Sequence, residues 1–134
     1  MFRLIKIVNS GVNVPEIFKI PKSTSLKVKV GTALTVSGGY AAMCTSTATP
    51  THIAAENAGA DKDTVFCYAV NGNMLFETTV SAKPTSLALG DKVTLGSDAD
   101  SCTVNVTATT TSGVATIVDL MGAANAGDKV TVKF

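Results

Sequence analysis

The chain is poor in the residues that usually carry chemistry. Its 134 residues contain no tryptophan, only 5% aromatic side chains and one histidine. Lysine and arginine number 11 against 10 aspartates and glutamates, a formal net charge of +1. Proteins that bind nucleic acid through its phosphates need a surplus of positive charge, so this balance argues against that class. The single histidine, His52, has no carboxylate or cysteine partner beside it and is expected to be structural or exposed.

The cysteines lack the spacings of a disulfide framework or a zinc site. Cys44, Cys67 and Cys102 lie far apart, are odd in number and form no C-x-x-C pair. Intracellular chains with such a pattern keep their cysteines as thiols. We therefore expect three thiols in a protein made in a reducing cytosol, with no metal and no other cofactor.

Catalytic and targeting motifs are also missing from the sequence. It contains no G-x-S-x-G, no Ser-x-x-Lys, no phosphate-binding loop and no paired carboxylates. The stretch "SDADS" at 97–101 resembles the start of a calcium loop but lacks the later glycine and glutamate. Lys6 interrupts the apolar start of the chain, and no apolar run is long enough for a membrane helix. We expect no enzyme, no signal peptide and no membrane partner.

Strict alternation of apolar and polar residues is the main structural signal. It occurs in "SLKVKVG", "DKVTL", "CTVNVTAT" and "DKVTVKF", and it is typical of strands with one face on a core and one in water. The spacing of these strands predicts a single-domain all-β fold, a small β-barrel or β-sandwich. At most one short helix is expected, from Thr51 to about Glu56, capped by Thr51 and ended by Gly59.

Five residues, Gly-Asp-Lys-Val-Thr, occur twice, at 90–94 and 127–131. Glycine and aspartate favour a turn, and Lys-Val-Thr then begins a strand. The repeat is therefore explained either by one turn-to-strand solution used twice or by an internal duplication.

The stretch "TVFCYAVNGNMLFETTV" gives the strongest local prediction. Asn71-Gly72 between two apolar runs indicates a β-hairpin with a two-residue type I′ turn. One face of that hairpin is almost wholly apolar and is expected in the core; it carries Val65, Cys67, Ala69, Met74, Phe76, Thr78 and Val80. The other face is too apolar for ordinary solvent contact, so another segment or another subunit must cover it. Its residues Phe66, Tyr68 and Leu75 are the candidate interface of a homo-oligomer.

The first 21 residues differ from the rest because their apolar residues fall on both faces. Phe2 and Leu4 alternate with Ile5 and Ile7, and Ile17 and Phe18 repeat the pattern. Such a segment is either a first strand buried on both sides or an arm that reaches a partner by strand addition. We therefore divide the chain into residues 1–21, arm or first strand, and residues 22–134, one β-domain.

A series of short motifs from about Lys27 to Phe134 resembles the family of small β-rich phage capsid decoration (cement, or auxiliary head) proteins. The order and spacing of the motifs carry the resemblance, because each alone is common in β proteins. They are Val30-Gly31, Leu75-Phe76-Glu77, Leu89-Gly90-Asp91-Lys92-Val93, Thr107-Ala108-Thr109, Gly113-Val114-Ala115 and Ala126-Gly127-Asp128-Lys129-Val130.

The resemblance implies a structural protein that binds the outer surface of an assembled capsid and stabilises the head. Its partners would be the major capsid protein and further copies of itself, with a trimer as first choice. It would be made and assembled in the host cytoplasm and end on the virion. The candidate capsid contacts are Phe2, Leu4, Ile5, Ile7, Ile17 and Phe18. The alternative is a small β-sheet binding module for a surface or a carbohydrate, also without catalysis.

Overall fold

The computed structural model describes residues 1–8, 15–96 and 102–134. Within these ranges the chain forms eleven strands and no helix. The strands are β1 (Arg3–Ile7), β2 (Ile17–Pro21), β3 (Ala33–Ser37), β4 (Tyr40–Met43), β5 (His52–Ala54), β6 (Thr64–Ala69), β7 (Met74–Val80), β8 (Lys92–Leu95), β9 (Thr103–Ala108), β10 (Ala115–Asp119) and β11 (Lys129–Lys133). The predicted all-β, single-domain class is confirmed.

The first sheet closes into a barrel. Its order is β1-β7-β11-β10-β8-β9, and β9 also pairs with β7. That last contact is parallel, between Thr79-Val80 and Thr103-Val104. It closes the five strands β7, β11, β10, β8 and β9 into a barrel. Strand β1 lies outside the closed ring, on the part of β7 that β9 leaves unpaired.

The second sheet has the order β2-β6-β5-β3-β4, and its neighbouring strands pair antiparallel. Its two edges meet at an isolated parallel bridge between Lys22 and Ala41. The turn between β3 and β4 is Gly38-Gly39, with φ of 58° and 82°. Positive φ at both central residues is the mark of a type I′ hairpin turn, which a Gly-Gly pair favours. The type I′ hairpin therefore lies here and not at Asn71-Gly72, where it was predicted.

Two apolar cores lie on the two faces of the second sheet. The first core fills the barrel and extends to one face of the second sheet through Ala33 and Ile53; its largest completely buried side chains are those of Phe76, Ile53, Leu95 and Ile117. The second core lies on the opposite face and contains Val28, Leu34, Ala41, Ala54, Ala58, Val65 and Cys67. The sheet is thus buried on both sides over its central strands.

The predicted Asn71-Gly72 hairpin is wrong. Strand β6 belongs to the second sheet and β7 to the barrel, so the two strands do not pair. Asn71 accepts a bond from the Met74 amide at 3.1 Å, and neither Asn71 nor Gly72 has a positive φ. The chain turns here from one sheet to the other. The alternation nevertheless predicted correctly which side chains are buried. All residues of the predicted core face are buried except Ala69, which is partly exposed.

Two further local predictions are wrong. Residues 52–54, expected in a short helix, form β5, because long-range pairing with β3 and β6 outweighs a weak local preference. Residues 26–30 do not form a strand; only Val28 makes a bridge, with Ala58. The predicted strands near 92–95, 103–108 and 129–133 are confirmed as β8, β9 and β11. The stretch 97–101 lies outside the described residues.

The two Gly-Asp-Lys-Val-Thr copies form the same structure. Gly90 and Gly127 have φ of 86° and 85° at the third position of a turn. Asp91 donates its amide to Ala88, and Asp128 donates its amide to Asn125. The carboxylate of Asp91 also accepts a hydrogen bond from the Ala88 amide, and that of Asp128 accepts one from the Asn125 amide, both at 2.8 Å. Because one turn chemistry produces both strand entries, the repeat has a physical reason that requires no duplication.

A bulge resolves the two-faced pattern of the N-terminus. The pairing of β1 with β7 shifts between Leu4 and Lys6. Since a bulge adds one residue, side chains three apart can face the same side. Leu4 and Ile7 therefore both pack on the first core, while Ile5 remains 44% exposed.

Candidate functional site

A shallow groove lies between β1 and β6. Leu4, Ile5, Lys6, Ile7, Pro15 and Tyr68 line a cavity of about 280 Å³. Three of these, Leu4, Ile5 and Ile7, are predicted capsid contacts, and Tyr68 is a predicted oligomer contact. The structure thus brings members of the two predicted sets together at one place.

An exposed apolar patch continues this groove along the second sheet. Ile17 of β2 lies directly opposite Tyr68 of β6, and Lys19 lies opposite Phe66. Residues that are opposite or two apart share a sheet face, so Ile17, Phe66 and Tyr68 lie on one face. Ile17 is 53% and Phe66 42% exposed, and Tyr68 is half-buried. We call these three residues the β2–β6 patch.

Other predicted contact residues lie elsewhere. Phe2 is 2% exposed, and its ring meets that of Phe134 edge-on at 5.2 Å in the first core. Phe18 is 41% exposed but lies on the opposite face of the second sheet, where its ring meets that of His52 at 6.5 Å. Leu75 lies on β7 in the barrel, opposite Lys6. The hairpin that grouped Leu75 with Phe66 and Tyr68 does not exist.

Charged groups hold the loop that leads to the patch. Glu56 accepts a bond from Lys62 Nζ at 2.7 Å and from the Phe66 amide at 3.2 Å. These bonds, with the Lys62 hydrogen bond as the main cause, lower the pKa of Glu56. The ionised carboxylate thereby fixes the backbone of β6 at Phe66.

The titratable side chains of the two cores and of β5 have pKa values that burial explains. Burial raises the pKa of the Cys44 thiol to about 11 and that of Cys67 to about 12. Burial likewise lowers the pKa of His52, whose Nδ1 lies 3.0 Å from the hydroxyl of Thr51. The structure holds all three cysteines as thiols. Across residues 1–8, 15–96 and 102–134, no group of three or more His, Cys, Asp or Glu side chains could hold a metal ion.

A second set of exposed apolar residues was not predicted from the sequence. Leu89 is 66%, Met121 50% and Val118 37% exposed. Leu89 is the second residue of the first turn of the repeat and Met121 follows β10, so both lie at the barrel end where β8 and β11 begin. Turn tips give no periodic signal, which is why alternation could not identify them. In the described part of the chain, no helix is long and apolar enough to cross a membrane.

Comparison with known proteins gives a likeness of fold but none of sequence. No family model matches the sequence, and no curated protein matches it. Among solved structures, the fold is similar to that of the head fiber gp8.5 N base in bacteriophage phi29, with a TM-score of 0.59. The likeness covers 90% of this chain and 94% of that chain at 17% sequence identity. At that identity the comparison establishes a shared fold.

Proposed function

We propose that this chain is a structural protein of a phage head, a decoration protein that binds the outer surface of the assembled capsid and acts without catalysis. The observation that carries the proposal is the likeness over nearly the whole of both chains to a protein of a phage head. The motif series from about Lys27 to Phe134 that resembles the decoration family supports it independently, because a sequence pattern and a likeness of fold are separate properties of the chain. The protein would act on the virion after assembly in the host cytoplasm.

The β2–β6 patch and the adjoining groove are the surface that best suits capsid binding. Ile17 and Phe66 expose large apolar side chains on one face, at diagonal positions of the β2–β6 pair, and Tyr68 joins them to the groove lined by β1. Aromatic and aliphatic anchors of this kind, with polar groups around them, are typical of protein interfaces. The exposed lysines Lys6 and Lys19 and the exposed Glu16 supply the polar surroundings.

Self-association would use the Tyr68 side of this surface and leave Ile17 and Phe66 for the capsid, because a side chain buried between copies cannot also contact the capsid. We propose that copies of the chain bind the capsid as a closed homo-oligomer, with a trimer as first choice, because closed symmetry is the rule for such assemblies. The major capsid protein and other copies are the proposed partners. Nucleic acid and membrane are not.

Co-sedimentation with heads of the phage that encodes the chain tests the proposal. The natural chain should sediment with heads, and an Ile17→Asp/Phe66→Glu variant should bind at least about tenfold more weakly, since about 1.4 kcal/mol of lost contact suffices. Leu89→Glu is the matched control, because Leu89 is the more exposed apolar residue and lies at the far end of the barrel. Light scattering of all three chains, alone and with heads, reports the oligomeric state.

The outcomes separate the function from the surface. A natural chain that does not bind heads at micromolar concentration contradicts the decoration role. Binding by the natural chain and by both variants alike would leave that role standing and show that the β2–β6 patch is not the contact. Thermal unfolding of each variant shows whether lost binding reflects lost folding.

A further inference from the structure

Lys22 is a buried cation that has carbonyl partners rather than a carboxylate. The residue is 2% exposed. Its Nζ donates to the carbonyl oxygens of Leu26 and Gly59 at 2.8 Å, of Lys62 at 2.7 Å and of Ser23 at 3.3 Å. An ammonium has three protons, so four acceptors around it exceed its donors and hold it in one place.

The four carbonyls belong to two β-turns. The first turn is closed by the Leu26 amide on Ser23, and the second by the Lys62 amide on Gly59. In each turn the carbonyls of the first and the last residue accept from Nζ. One side chain therefore joins two turns that lie far apart in the sequence.

These turns belong to an irregular cover over the second core, which we call the cap and define as residues 23–31 and 55–62. Its two halves are joined by two backbone hydrogen bonds between Val28 and Ala58, of 2.8 and 2.9 Å, and by the Val30 amide on the Asn57 side-chain oxygen at 2.8 Å. Val28 and Ala58 contribute to the second core, and Leu26 packs against it. The cap thus buries apolar residues but has very little regular pairing of its own.

We propose that Lys22 is a latch: its ammonium holds the cap closed over the second core, and the cap opens as a unit while the barrel stays folded. Breaking the latch removes the ammonium from the Leu26 and Lys62 carbonyls and leaves a buried cation without its acceptors, while the Ser23 and Gly59 carbonyls keep only their turn amides. Segments with few regular hydrogen bonds open locally at lower cost than a closed barrel. The inference concerns the fold and does not depend on the proposed function.

Two buried thiols report separately on the two cores. Cys67 lies in the second core, in the same cluster as Val28 and Ala58 of the cap. Cys44 lies in the first core and is 5% exposed. Opening of the cap should expose Cys67 alone, and unfolding of the whole chain should expose both.

Thiol labelling with peptide mass spectrometry tests the latch. In Lys22→Met, which keeps most of the length of the side chain and removes its donors, Cys67 should label at least tenfold faster, and Cys44 should change by less than twofold. Lys27→Met is the matched control, because Lys27 is an exposed lysine of the cap. It should leave both rates unchanged. Equal acceleration of Cys67 and Cys44 in Lys22→Met would overturn the proposal, as would no acceleration of either.

The natural chain provides a second test that needs no variant. The rate of thiol labelling through a local opening rises only weakly with urea concentration, because the urea dependence scales with the surface area that the opening exposes. Labelling of Cys67 should therefore rise less steeply with urea than labelling of Cys44. Identical slopes for the two thiols would show that the cap opens only when the whole chain unfolds, and the latch would be rejected.

Discussion

At the scale of single residues, Met121 has an unusual backbone. It is the non-glycine residue with positive φ, 51°, in the described ranges, and Gly122 after it has φ of 77°. The Ala123 amide closes the turn on the Leu120 carbonyl at 2.8 Å. Two positive φ values make a turn of the type I′ kind, which favours asparagine or glycine at the position of Met121.

Replacing Met121 with asparagine should stabilise the chain. A left-handed backbone costs about 1–2 kcal/mol for most side chains, and asparagine tolerates it better. We expect Met121→Asn to raise the free energy of unfolding in urea by about 0.5–1 kcal/mol. Met121→Leu is the control, because it also loses the contact of Met121 Sδ with the Thr131 hydroxyl but keeps the strained backbone. A gain no larger in the asparagine variant than in the leucine variant would contradict the strain argument.

At the scale of elements, the start of β1 is attached to the cap by a close backbone approach. Phe2 donates its amide to Gly31 at 3.0 Å, and Gly31 donates its own to Ala54 at 2.8 Å. A Cβ on Gly31 would lie 2.7 Å from the Phe2 carbonyl oxygen, and the φ of Gly31 is +78°. Gly39 has a similar φ, +82°, but open space around it.

Substituting the two glycines separates two energy costs: that of a positive φ, which both positions share, and that of the close backbone approach, which only Gly31 has. Gly39→Ala should lower the free energy of unfolding by about 1 kcal/mol, because alanine adopts a positive φ less readily than glycine. Gly31→Ala should lose about 2–4 kcal/mol, because backbone atoms must also move. Urea unfolding of both variants provides the comparison. Equal losses would mean that β1 shifts away from Gly31 at no cost.

The edge strands β1 and β2 determine whether a partner could bind by adding a strand to either sheet. Strand β1 has a bulge and Lys6 at its edge, and β2 carries Lys19 and Pro21. Bulges, lysine and proline at an edge discourage pairing with another strand. The contact we propose is therefore made by side chains of the β2–β6 patch rather than by strand addition, which the sequence had suggested for an N-terminal arm.

The strands show that the sequence predicts which residues are buried better than it predicts which strands pair. Alternation along β7 and β8 identified buried residues correctly, because burial on one face is a local property of a strand. Along β11 it placed Val130 and Val132 in the core correctly but put Thr131, which is 5% exposed, on the water-facing side. It could not identify which strand pairs with which: Asn71-Gly72 has the composition of a hairpin turn, yet β6 and β7 join different sheets. The candidate surface was affected in the same way. Tyr68 and Ile17 come together through pairing of β2 with β6, whereas Leu75 was grouped with Tyr68 only through the hairpin that does not form.

At the scale of the whole molecule, residues 1–8 connect the barrel to the second sheet and its cap. The N-terminal ammonium donates to the Cys102 carbonyl at 2.6 Å, next to the start of β9. In the first core the ring of Phe134 contacts those of both Phe2 and Phe76, with ring centroids 5.2 and 5.5 Å away. Arg3 and Lys129 both approach the carboxylate of Glu77, at 3.9 and 2.9 Å, so a charge contact spans β1, β7 and β11.

Removal of residues 1–8 therefore tests whether this segment is part of the fold or an arm for a partner. Loss of a buried phenylalanine alone costs about 3–5 kcal/mol, so we expect the melting temperature to fall by about 10 °C or more. Ile5→Ser is the control, because Ile5 is exposed at the bulge and should shift the melting temperature by less than about 3 °C. If the shortened chain kept its melting temperature and lost only its binding to heads, the segment would be an attachment arm. A shortened chain that unfolds at room temperature would show instead that β1 is needed to cover the barrel, and that the capsid contact must be sought on the β2–β6 patch.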